Sequence, residues 1–91
     1  MLFRSKPGRR TNRLKVLRDL ETTVVLYESP HRIVAALTAI AEVFGDAPLV
    51  VAREITKQFE EIVTATPAAH LERLVAGPIR GEFVIVIPRA S

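Results

Sequence analysis

The chain has no cysteine, no tryptophan, one methionine, two histidines and four glycines among its 91 residues. Without cysteine there are no disulfide staples and no thiolate metal sites. His31 and His70 lie far apart, so no zinc-ligand spacing is recognisable either. The glycines, Gly8, Gly45, Gly77 and Gly81, sit in a linker, a helix stop and turns, which leaves no phosphate-cradling glycine loop and no nucleophile elbow. Apolar runs are only strand-length, well short of the roughly 20 residues that span a bilayer. The opening Met1-Leu2-Phe3-Arg4-Ser5-Lys6-Pro7 is charged and lacks the apolar core of a signal peptide. These absences predict a cytoplasmic protein with no metal and no membrane contact.

Acid is missing from one stretch in particular. Residues 1–18 carry Arg4, Lys6, Arg9, Arg10, Arg13, Lys15 and Arg18 and not a single carboxylate. The other six basic residues stand against all ten acids, so the net charge of +3 hides a basic opening on an acidic remainder. A surface that meets phosphate has this distribution, and so does a solvated linker followed by a helix face. Otherwise the composition, 48% hydrophobic and 25% charged, is that of one small globular domain.

The first ten residues, with Pro7 and Gly8, read as an extended basic linker, and residues 11–91 as the domain. Thr11 is a candidate cap for a short helix with Leu14, Leu17 and Leu20 spaced three apart. Thr23-Val24-Val25-Leu26-Tyr27 is a continuous β-branched and aromatic run, the pattern of a strand covered on both faces. Ser29-Pro30 predicts a helix start, followed by Ile33, Leu37, Ile40 and Phe44 on one stripe and Gly45 as the stop. Leu49–Ala52 and Glu61–Thr66 read as strands of a long-looped antiparallel hairpin. Thr66-Pro67 repeats the cap-plus-proline start for a third helix lined by Leu71, Leu74 and Val75, in which His70 is expected to be partly exposed. Phe83–Ile87 closes the series as a strand. The fold class is α/β: a mixed sheet of four to five strands flanked by about three helices.

Two strand ends carry candidate chemistry. At Tyr27-Glu28-Ser29-Pro30-His31-Arg32 a buried strand gives way to a helix, and such junctions at carboxyl ends of strands are where ligands bind in open α/β sheets. His31 and Arg32 in a first helical turn oppose the macrodipole, a conflict that a bound anion removes. Arg32 turning back onto Glu28, with His31 simply at the surface, explains the same residues. At Arg53-Glu54-Ile55-Thr56-Lys57 charges begin where the apolar strand ends, Arg53 and Glu54 alternating across its two faces. The two ends are expected side by side, as one wall of a pocket completed by another domain.

The ordered motifs resemble a known family. They are the basic Lys6-Pro7-Gly8-Arg9-Arg10, then Thr23 to Arg32, Val51 to Glu61, and Gly81-Glu82-Phe83-Val84-Ile85-Val86. Over nearly the whole chain this is similar to the C-terminal half of the small-subunit rRNA ribose 2′-O-methyltransferases within the tetrapyrrole-methylase superfamily. The resemblance implies a two-domain enzyme holding S-adenosylmethionine between its halves, with 16S rRNA in the small ribosomal subunit as substrate and a homodimer as the assembly. The N-terminal half of that family carries a Gly-Pro-Gly-Asp-Pro-type loop, which this chain lacks. It implies a partner domain that is missing here, and a chain inactive by itself. Carried over, the resemblance places Leu26, Tyr27 and Glu28 against the methyl donor. Ser29, His31, Arg32, Arg53 and Lys57 face the substrate, Arg9, Arg10, Arg13 and Lys15 grip phosphates, and Glu28 or Glu54 is the catalytic base. Two alternatives stay open: a porphyrin or corrin carbon methyltransferase, and a non-catalytic dimerisation and docking module.

Overall fold

A computed structural model describes residues 2–3, 7–20, 22–56 and 59–88. The elements in chain order are β1 (Leu2–Phe3), α1 (Pro7–Asp19), β2 (Val24–Glu28), α2 (Ile33–Phe44), β3 (Leu49–Thr56), β4 (Phe59–Ala65), α3 (Pro67–Val75) and β5 (Glu82–Ile87). The five strands form one sheet in the order β1-β2-β5-β3-β4. β1 runs parallel to β2, and every other neighbouring pair is antiparallel. The fold is therefore α/β with a mixed sheet, as the alternation of helical and strand patterns predicts.

Because β2 and β3 are both antiparallel to β5, they run parallel to each other, with β5 between them. Their carboxyl ends thus emerge at the same edge of the sheet. Tyr27 and Arg53 are not adjacent, which corrects the expectation of neighbouring strand ends: β5 is inserted into the β2–α2–β3 crossover.

The core lies on one face. Val24 and Leu26 of β2, Leu49 and Val51 of β3, and Phe83, Ile85 and Ile87 of β5 are buried against Leu14 and Leu17 of α1, the Ile33–Ala36–Leu37–Ile40–Val43 stripe of α2, and Leu74 of α3. Alternate residues point the other way, where no helix among the described residues covers them. Val25, Val50, Ala52, Val84 and Val86 are only half-buried there, and Tyr27 and Ile62 are exposed. Continuous apolar runs predict strands covered on both faces, but within this chain the helices cover one.

Helix boundaries also shift. α1 begins at Pro7, not after Thr11, because proline with its fixed φ is well suited to a first helical turn. Residues 7–10, read as extended, are helical, and Leu20 falls just beyond the helix end and is exposed. α2 begins at Ile33, not Pro30: the Ser29 carbonyl accepts from both Arg32 and Ile33 amides, closing a turn over Ser29–Arg32 before the helix proper. His31 and Arg32 therefore occupy that turn and the cap, outside the first helical turn. Gly45, at φ 64°, ends α2 with its N–H on the Ala41 carbonyl, and Thr66 caps α3 by accepting the Ala69 N–H at 3.2 Å. At the α2 end Arg18 donates to the Val43 carbonyl at 3.1 Å, so this member of the basic cluster ties α1 to α2.

The hairpin is tighter than its charge pattern suggests. β3 continues through Arg53 and Glu54 to Thr56, β4 resumes at Phe59, and Arg53 and Glu54 pair with Glu61 and Glu60. Residues 53–56 and 59–60, which include the charged Arg53, Glu54 and Glu60, are strand, not loop. No helix among the described residues is long and apolar enough to cross a membrane.

Candidate functional site

The carboxyl edge of β2 and β3 carries the polar groups. Glu28, Phe83 and Arg53 are directly paired across three strands, so their side chains share the helix-covered face in one row. Glu28 is 3% exposed and Phe83 1%, a carboxylate and a ring set deep at the edge. Beyond Glu28 the chain turns through Ser29–Arg32, and this turn with Tyr27 and Glu28 encloses an open pocket of about 290 Å³. Its lining, Tyr27, Glu28, Ser29, His31 and Arg32, offers an aromatic face, a buried carboxylate, a hydroxyl and two basic groups. Such a set is chemically suited to a polar ligand with an aromatic portion and mixed charge.

Opposite faces of the sheet divide the remaining acids. Glu54 pairs with Glu60 on one side and Glu82 on the other, so these three exposed carboxylates form a row on the uncovered face. Glu28 and Glu54, both candidate bases, therefore lie on opposite faces of the sheet. Gly81 lets β5 enter this edge: its φ is +92°, and a Cβ there would stand 2.5 Å from the Glu54 carbonyl oxygen.

On the covered face, beside Phe83, Arg53 donates through Nη2 to both oxygens of Glu61 at 3.1 and 3.2 Å, and its Cζ lies 5.9 Å from the Phe83 ring centre. Arg73, from the last turn of α3, donates to the same carboxylate. The Arg73 hydrogen bond, with the Arg53 charge and hydrogen bond beside it, outweighs partial burial and holds Glu61 below the ordinary carboxylate pKa.

The expected site residues fall into separate groups. Tyr27, Glu28, Ser29, His31 and Arg32 come together in the pocket. The Leu26 side chain is in the core, 1% exposed, and does not line it. Arg53 lies one strand beyond Phe83, level with Glu28. Lys57 is outside the described residues, as are the side chains of Arg9 and Arg10, whose backbone belongs to α1. Among the described residues no group of histidine, cysteine, aspartate or glutamate is arranged to hold a metal.

Sequence reasoning missed Arg73, the role of Glu61 and the burial of His70. His70, expected to be partly exposed, is 0% exposed, with Nε2 2.9 Å from the Leu49 carbonyl, fastening α3 to β3. The available signal was helical spacing: Pro67, His70 and Leu74 form the buried stripe of α3, and Arg73 lies three residues from His70 on its margin.

These features define a class of module: a helix-backed α/β sheet with a polar pocket at the carboxyl edge of its strands. Comparison with known proteins narrows it. The chain is 38% identical to the ribosomal RNA small subunit methyltransferase I of Bacillus subtilis (strain 168), over 81% of this chain and 25% of that protein. Identity to the protein of the same name from Micromonospora olivasterospora is 39%, covering 90% of this chain and 26% of the relative. For that of Xylella fastidiosa (strain Temecula1) it is 41%, covering 96% and 33%. No family model matches the chain. The chain spans about a quarter to a third of the length of these curated relatives, and over that segment it is similar to the ribosomal RNA small subunit methyltransferase I proteins.

Proposed function

We propose that this chain is the C-terminal portion of a methyltransferase that modifies small-subunit ribosomal RNA, transferring a methyl group from S-adenosylmethionine to the ribose 2′-hydroxyl of a cytidine in 16S rRNA. The observation that carries this reading is the pairing of 34–44% identity to rRNA methyltransferases with a mixed-charge pocket at the carboxyl edge of the strands.

The pocket residues fit one side of such a donor. Tyr27 is 42% exposed and offers its ring for stacking, and the buried Glu28 carboxylate suits ribose hydroxyls or an ammonium group. When bound, S-adenosylmethionine supplies an electrophilic methyl group on a sulfonium. The protein's share is alignment, worth roughly 7–11 kcal/mol in well-oriented systems, and charge. In this reading Ser29, His31 and Arg32 hold the substrate ribose and its phosphate at the turn. Glu28 receives the 2′-hydroxyl proton, and Glu54, on the other face, is the weaker candidate. Arg9, Arg10, Arg13 and Lys15 of the opening segment and Lys57 meet RNA phosphates. The rest of a longer polypeptide supplies the opposite wall and the donor-binding loop, and the assembly is a cytoplasmic homodimer.

The test is methylation in the full-length enzyme. Mass mapping of 16S rRNA is expected to show one added methyl on a cytidine ribose, with turnover reduced at least tenfold by Glu28→Gln. Methylation of a porphyrin or corrin carbon instead of RNA would overturn the substrate assignment. Wild-type turnover in both Glu28→Gln and Glu54→Gln would remove the proposed bases.

A further inference from the structure

The half-buried cluster where the end of β3 meets α3 has a charge imbalance. Arg53 and Arg73 converge on one carboxylate, Glu61, which neutralises only one of them. Each guanidinium engages that carboxylate through a single nitrogen, Nη2 of Arg53 and Nη1 of Arg73. Among the described residues the Nε donors of both are buried without an acceptor. Buried donors without acceptors are disfavoured, so the cluster is short of acceptor oxygens. Meanwhile the Phe83 ring lies beside the Arg53 guanidinium, within cation–π reach. Solvent still reaches the group: the side chains of Arg53, Glu61 and Arg73 are 17%, 39% and 34% exposed. Two planar forks with a surplus positive charge suit a tetrahedral oxyanion better than one shared carboxylate does.

We propose that Arg53 and Arg73 form a clamp for one phosphate group of the RNA backbone, with Glu61 as an internal counter-ion that the phosphate partly displaces. The inference rests on the rRNA reading above and deepens it by naming a contact. Arg53 lies on the same face as Glu28 and level with it, two strand spacings or about 10 Å away. A phosphate held in the clamp thus lies within a nucleotide or two of a ribose presented at the pocket.

A clamp and a purely structural ion pair differ in what Glu61 does. In a clamp the carboxylate competes with the ligand, so removing its charge tightens phosphate binding. In a structural pair its removal leaves phosphate affinity unchanged or lower. The probe is inorganic phosphate, titrated into the 15N-labelled 91-residue chain against sodium chloride at matched ionic strength, following the arginine Nε–H signals. The Arg53 and Arg73 signals are expected to move together and saturably with phosphate but not with chloride. Glu61→Gln should lower the apparent Kd several-fold and Arg73→Gln raise it several-fold. No saturable movement in the wild-type chain, or a folded Glu61→Gln chain with equal or weaker phosphate binding, would overturn the clamp. If Glu61→Gln does not fold, Arg73→Gln decides, and an unchanged Kd overturns the proposal. A single-stranded RNA 12-mer identifies the source of the phosphate: removing Arg73 should lower the salt slope of binding by about 0.7. A slope untouched by Arg73→Gln, with phosphate still bound, overturns the assignment to RNA. Complete failure of the chain to bind RNA, with phosphate binding intact, counts instead against the rRNA reading.

Discussion

At Gly81 a single hydrogen atom in place of a side chain decides how closely β5 approaches β3. The residue combines φ +92° with a would-be Cβ 2.5 Å from the Glu54 carbonyl oxygen, so alanine meets both backbone strain and a clash with main chain. Gly81→Ala is expected to destabilise the chain by about 1–3 kcal/mol, read as a lower urea midpoint. An unchanged midpoint would mean that the close approach is not needed. Glu61 is the other residue whose contribution is separable. Its folded pKa lies below the ordinary value of 4.5, chiefly through the Arg73 hydrogen bond. A depressed carboxylate pKa contributes stability that is fully present above the unfolded value and fades as pH falls through the folded one. The wild-type advantage over Glu61→Gln should therefore be full at neutral pH and shrink below about pH 4.5. A difference in midpoint that stays constant from pH 7 to pH 3 would contradict it.

Among the elements, β5 shows best how the layers are arranged. It is the central strand, flanked by β2 and β3, and its residues alternate between the helix-covered core and the uncovered face. Ile85 is 0% exposed and Val84, beside it, only half-buried. Ile85→Ala should cost about 2–5 kcal/mol, as fully buried large-to-small changes do, and Val84→Ala about 1 kcal/mol or less. Equal losses at the two positions would show the second face to be covered in the isolated chain. The uncovered face explains a misreading of the strands: apolar residues on both sides of β2, β3 and β5 predict two covering layers, and this chain provides one.

For the whole molecule, length is the governing quantity. The chain corresponds to between a quarter and a third of its curated relatives, and its pocket has one wall, made by Tyr27, Glu28 and the Ser29–Arg32 turn. If the methyl donor sits between two halves, a single wall cannot bury enough of it for tight binding. On the methyltransferase reading proposed above, calorimetric titration of S-adenosylmethionine is expected to give no saturable heat with the 91-residue chain, and a clear isotherm with a longer polypeptide that contains it. Tight binding by the chain alone would show that the pocket is complete without a second half.

Periodicity and caps alone determined the three helices and strands β2 to β5 in outline, where α2 stops at Gly45 and where Thr66 caps α3, and which residues crowd around the carboxyl end of β2; β1 and the first turn of α1 were not legible. These are local properties: the alternation of apolar side chains, proline's fixed φ and the need to satisfy free amides act over a few residues. Tertiary structure alone decided that β5 separates β2 from β3, that Glu28 and Glu54 lie on opposite faces, and that His70 is buried against the Leu49 carbonyl. It also brought Arg73 to Glu61, twelve residues away in sequence. Strand order and helix docking depend on which distant surfaces bury the most apolar area together. No spacing within one segment records that choice.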